Sequence, residues 1–222
     1  MNATPRAPRI LALAGALEPV WLLVGSAAAG ALRPGYDATH AISELGQQGS
    51  TYAAAWNVGG FGVAALLTAL FALAIRDGLG RGWLFRVTVL QAIFLAAGGT
   101  FGCDPGCPPL MSTWQGWAHT VVGLVYFALT CVSPLVGWRT FRTRPEWRSL
   151  APVSLAAGIA LVGLFLAGPF VFPPAAVGVW QRITLATAGV WTTIVAVRLL
   201  RLASAVDQPS PTGRALPELS RR

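Results

Sequence analysis

Apolar positions in this chain gather into six long runs, separated by short polar connections. The runs are Ile10–Leu32, Ala53–Ile75, Gly82–Gly102, Trp114–Trp138, Leu150–Phe172 and Trp180–Leu200. Each is long enough to cross the hydrocarbon core of a bilayer as a helix, which takes about 20 residues. Arg86 and Gln91 weaken the third run, whereas the fifth carries no charged residue. The first ends in small residues, as a signal-peptide cleavage site does. It is longer than a signal-peptide core, however, and Glu18 with Pro19 interrupts it, so a retained helix is favoured. The pattern predicts an all-α polytopic membrane bundle over residues 10–202. A short basic segment, 1–9, precedes it, and a polar tail, 203–222, follows with the composition of a disordered segment. No internal repeat of the kind found in many transporters is visible.

The longest polar stretch between the first two runs is Tyr36–Gly49, YDATHAISELGQQG, which holds one of two histidines and two of eight acids. Read as a helix, it puts Asp37, His40 and Glu44 at i, i+3 and i+7, on one face. Asp37 suits the N-cap, where its carboxylate would accept from free first-turn amides. Gly46 and Gly49 follow where such a helix could stop. Two readings stay open. One is a surface helix with a solvated face; the other is a helix over the mouth of the bundle, with its acids and imidazole turned inward.

Composition agrees with a membrane class. Of 222 residues, 55% are hydrophobic and 11% charged, and the mean hydropathy is +0.60. A soluble domain averages about 25% charged residues, so too few polar groups are present to cover a water-facing surface. The basic balance, net +8, does not point to nucleic acid, because the arginines sit at helix ends. Arg33 and Arg182 lie at one set of ends and all fourteen other arginines at the opposite set or in the termini; there is no lysine. Positive charge is retained on the cytoplasmic side, so the chain is expected in the cell membrane with both termini cytoplasmic and Tyr36–Gly49 on the other side.

That topology gathers the unusual residues near one membrane surface: Asp37, His40, Glu44, Asn57, Cys103, Asp104, Cys107, His119, Gln181 and Arg182. Ionisable groups in membrane spans suggest function by default, although near an interface their cost is smaller. Cys103 and Cys107 flank Asp-Pro-Gly, and Pro-Gly suits the centre of a type II turn, which would bring the thiols together. A disulfide is the favoured reading and a metal site the competing one, without the CxxC spacing of structural zinc. Cys131, in mid-span, reads as a packing residue.

ISELG at 42–46, Asn57, FGCDPGC at 101–107, GWAHTVVG at 116–123 and WQR at 180–182 occur in this order. In these the chain resembles the bacterial and archaeal membrane proteins grouped as domain of unknown function 998, from about Leu11 to Leu202. The resemblance implies a six-helix membrane fold and no established activity.

Two main function classes follow. In an enzyme acting on a lipid or isoprenoid-like substrate, Glu44 and His119 would transfer protons, Asp104 and His40 would orient them, and Arg182 would contact an anion or headgroup. The four acids and imidazoles could instead bind a metal, but neither HExxH nor GxSxG is present, and no metal is assigned. In a non-catalytic binder of a lipid or small hydrophobic molecule, Glu44 and Arg182 would form a buried ion pair, and His119 would hydrogen-bond between helices. Asp37, His40, Asn57, Gln181 and Arg182 are the ligand-binding candidates. A small transporter is a third reading, which Glu18 favours most. Cofactor, substrate and oligomeric state are left open.

Overall fold

The computed structural model describes residues 9–206. Six helices long and apolar enough to span a membrane follow in order: α1 (Arg9–Ala31), α2 (Ala53–Leu79), α3 (Trp83–Thr100), α4 (Trp114–Phe141), α5 (Ala151–Val171) and α6 (Val177–Val206). The protein is an all-α polytopic membrane bundle, with a short helix outside the spans between the first and second. The helix ends fall within a few residues of the hydropathy boundaries. α6 runs on to Val206 and so takes in the first residues assigned to the tail. Residues 1–8 and 207–222 of the two terminal segments lie outside the described residues.

Each helix packs on the next, and α6 closes the circuit against α1. Without a hydrophobic force between helices in lipid, close approach depends on small residues. At Gly15 of α1 a side chain would run into the ring of Phe71, and at Gly189 of α6 into Pro19. α5 packs mainly between α4 and α6. Large apolar side chains face outward, Phe170 being 90% exposed and Val58 73%, as helices immersed in lipid require. At the arginine-rich end, Phe141 stacks on Trp147 with ring centroids 4.9 Å apart. Arg144 Nη2 donates to the Leu79 carbonyl at 2.7 Å, satisfying the open C-terminus of α2.

Two local features differ from the sequence expectation. The stretch 36–49 holds only one turn-and-a-half of 3₁₀ helix, Ile42–Gly46. Asp37, His40 and Glu44 therefore share no helical face, and Asp37 caps no helix. The reason is local competition for the backbone. Asp37 Oδ1 accepts from the Thr39 amide at 2.8 Å and from its hydroxyl at 2.5 Å, a turn that bends the chain before helix can begin. The second feature is a π turn in α2, Asn57–Gly62. Such turns widen the hydrogen-bond ladder, and Trp21 Nε1 of α1 donates to the Gly59 carbonyl within it at 2.9 Å.

Candidate functional site

The polar stretch forms a lid at one end of the bundle, and α6 holds it. Arg182 Nη1 donates to the carbonyls of Ala38 (3.0 Å), His40 (2.9 Å) and Gly178 (3.1 Å), and Nη2 to the Tyr36 hydroxyl (3.0 Å). Gln181 Oε1 accepts from the Ile42 amide at 2.8 Å, and the Gly178 amide donates to Thr39 O at 2.9 Å. From α2, Asn57 Nδ2 donates to Gly46 O at 3.2 Å. Gly46 leaves no room for a Cβ beside that amide. Tyr36, which the motif reading passed over, is the hinge of this arrangement. Its hydroxyl donates to Ala41 O at 3.1 Å, and the guanidinium carbons of Arg33 and Arg182 lie 5.7 and 5.8 Å from its ring centroid. Burial pushes its phenol above the ordinary value, with the Arg182 hydrogen bond and charge pulling the other way.

Glu44 is buried, 7% exposed, but its carboxylate serves its own turn. Oε1 accepts from the Ala41 amide at 2.9 Å while the Glu44 amide donates to Ala41 O at 3.0 Å. Arg33 Nη1 reaches the Glu44 carbonyl at 2.5 Å. The expected Glu44–Arg182 ion pair is not formed; the guanidinium turns to backbone carbonyls, whose fixed positions match its fork. Asp37 is exposed and lies 3.1 Å from His40 Nδ1. The donors from Thr39, then His40, hold the Asp37 carboxyl down at about 2.

Asp104 clamps the CDPGC loop to the start of α4. Its Oδ2 accepts from the Ser112 amide, the Ser112 hydroxyl (2.8 Å) and the Thr113 amide (3.0 Å). Oδ1 accepts from the Thr113 hydroxyl and from Gln48 Nε2 at 3.1 Å. The Thr113 hydroxyl foremost, with the Ser112 donors and the Thr113 amide, holds the carboxyl down at about 2 against desolvation. Gly116, one turn on, is needed there, since a Cβ would stand 2.7 Å from Oδ1. Within the loop, Cys107 N donates to Asp104 O at 2.8 Å and Gly106 has φ +78°, the type II turn expected of Pro-Gly. Cys103 and Cys107 form a disulfide with Cα atoms 5.2 Å apart. Cys131 is free and buried. Labelling of thiols in denatured, unreduced protein should therefore modify Cys131 alone, and labelling of all three cysteines would disprove the bond.

His119, in the second turn of α4, donates from Nδ1 to Phe101 O at 2.6 Å. A carbonyl can only accept, so this contact fixes the proton on Nδ1. The imidazole lines a chamber of about 80 Å³ beneath the lid. Ile42 and Ser43 line it from the lid, Gln181 and Leu185 from α6, and apolar side chains of α1 to α4 complete the wall. The fold thus brings His119 and Gln181 to one cavity. Glu44, Asp104, Asn57 and Arg182 are not among its lining residues; they hold the lid and the adjacent loop. Asp37 and His40 sit on the outer rim. Among the described residues no cluster of three or more His, Cys, Asp or Glu side chains is arranged to hold a metal ion.

A family model described as "Protein of unknown function (DUF998)" matches residues 16–198. No curated protein and no solved structure matches the chain.

Proposed function

The chain belongs to the DUF998 family of proteins of unknown function, and from that premise we propose that it binds the apolar part of a lipid or small hydrophobic molecule in the chamber beneath the lid. One observation carries this reading: the cavity is lined mainly by aliphatic and aromatic side chains, including Leu22, Phe61, Phe94 and Phe127, with Ser43, His119 and Gln181 among its few polar residues. Binding pockets combine apolar walls with a few convergent polar groups in this way. An engineered cavity of about 150 Å³ accommodates benzene, so some 80 Å³, about half of that, suits the end of an acyl chain. These few polar residues suit one hydroxyl or carbonyl on that ligand. The acid–base alternative receives less support, because Glu44 and Asp104 are engaged with backbone and side-chain donors of their own segments.

Orientation forms part of the proposal. The arginine asymmetry puts the lid on the non-cytoplasmic side and both termini in the cytoplasm. Reporter fusions after Gly49 and Pro109 should behave as exported, and fusions after Asp77 and Arg144 as cytoplasmic; a cytoplasmic signal at Gly49 would invert the arrangement. For the chamber, Gly123→Leu is the direct probe, since Gly123 lines the cavity and a Cβ there meets nothing within 4 Å. Native mass spectrometry of the purified full chain should show a retained hydrophobic molecule in the wild type and its loss in Gly123→Leu. Equal retention by both would refute the chamber as the binding site.

A further inference from the structure

A second, smaller chamber of about 40 Å³ lies deeper in the bundle, lined by residues of α1, α2, α3, α4 and α6. It shares Leu22, Tyr126 and Leu185 with the walls of the chamber under the lid. Glu18 lines it, and among the described residues no hydrogen bond or ion pair engages this carboxylate. No arginine or histidine lines the chamber either. A carboxylate inside a membrane bundle without a cationic neighbour must either be neutral or have its charge met by an occupant.

Three threonine hydroxyls in the wall present acceptors only. The hydroxyls of Thr68, Thr88 and Thr192 donate to their own i−4 carbonyls, Ala64, Leu84 and Ala188, at 2.9, 2.8 and 3.0 Å. Each of these oxygens is left with lone pairs alone. Gln91 Nε2 donates to Thr130 Oγ1 at 3.2 Å, and Trp191 Nε1 to Ser154 at 2.9 Å. Thr130 Oγ1 in turn donates to the Tyr126 carbonyl at 2.9 Å. The side-chain donors named here are thus directed onto protein acceptors.

Two prolines add backbone acceptors to the same place. Pro19 lies inside α1 and Pro134 inside α4. Proline has no amide hydrogen, so each removes the helical donor from the carbonyl four residues earlier. Those carbonyls belong to Gly15 and Thr130, and both residues line this chamber. Interrupted helices with freed carbonyls are how membrane transporters coordinate small cations at mid-membrane.

We propose that this chamber binds Na⁺ in exchange for the proton of Glu18, with the Glu18 carboxylate as the charged ligand and the Gly15 and Thr130 carbonyls as backbone ligands. One carboxylate balances one positive charge, whereas Ca²⁺ takes six to eight oxygens and Mg²⁺ usually keeps several waters. The volume, about 40 Å³, holds roughly three water-sized particles, enough for a bare cation with a water or two. The oxygen-only donor set suits a hard ion.

The test uses the full chain in lipid nanodiscs, with NaCl replaced by choline chloride at constant ionic strength. Thermal stability of the wild type should rise with Na⁺ and saturate, the midpoint should move to higher Na⁺ as pH falls, and Glu18→Gln should lose both responses. Tyr126→Phe removes the other titratable side chain of the wall and should keep them. Infrared difference spectra distinguish Na⁺ binding from simple protonation. A neutral-carboxyl band that disappears on adding Na⁺ to the wild type, and is absent from Glu18→Gln, supports the site. A Glu18 band that responds to pH but not to Na⁺, or no response to Na⁺ at all, overturns it.

Discussion

Arg182→Ala should detach the lid. One guanidinium supplies hydrogens to three carbonyls and the Tyr36 hydroxyl. Hydrogen bonds to charged groups contribute about 1.5–3 kcal/mol each. Because Arg182 is only half-buried and water can meet part of the set, the net loss is expected well below the sum of the four, on the order of 3 kcal/mol. The expected observation is rapid amide exchange across residues 38–46 and new protease cleavage there, while the spans keep their protection. Arg182→Lys should restore little, since a single ammonium cannot span carbonyls and hydroxyl with fixed geometry. Unchanged exchange across the lid in Arg182→Ala would show that packing alone holds it.

The second large effect is expected at Asp104. Five donors converge on its carboxylate, and the side chain is 3% exposed. Asp104→Asn keeps the shape but puts an amide N–H₂ where two or three donors point. The loop 103–113 should come away from the first turn of α4, seen as lost amide protection at Thr113 and Gly116. Acidity should act through the same clamp. The folded carboxyl is held down at about 2, below its ordinary value of 3.8. Its contribution is therefore complete above about pH 4 and is lost as pH falls through about 2. Asp37 shifts in the same direction, so the informative quantity is the difference between wild type and Asp104→Asn over that window. An identical acid profile in the two proteins would show that Asp104 is not the clamp.

Both residues were visible as unusual before the fold was known, but for other roles. Asp104 and Glu44 stood out because acids are rare in this chain. In the structure the first ties a loop to a helix start and the second closes its own 3₁₀ turn. Scarcity of charge marks positions that matter, because an acid within or beside a bilayer is expensive. It does not distinguish a group that acts on a ligand from one that satisfies backbone amides. Tyr36 shows the converse: an ordinary aromatic by sequence, it gains its importance only from two arginines that converge on its ring.

What the sequence determined by itself was whatever rests on short-range physics. Six apolar runs of bilayer length can only be helices in lipid, where each backbone group must find its partner within the segment. The helix limits and the all-α class follow from that. The Cys103–Cys107 turn was equally local, since proline and glycine at adjacent positions set its dihedral angles. Only the tertiary structure decided which polar groups meet. Near-uniform apolarity around each helix leaves its rotation undetermined by pattern, so packing alone brings His119, Ser43 and Gln181 to one chamber and Glu18 with three acceptor threonines to another. Packing also decides the lid. Its backbone follows contacts from Arg182 and Gln181, some 140 residues along the chain, and no spacing within Tyr36–Gly49 encodes them.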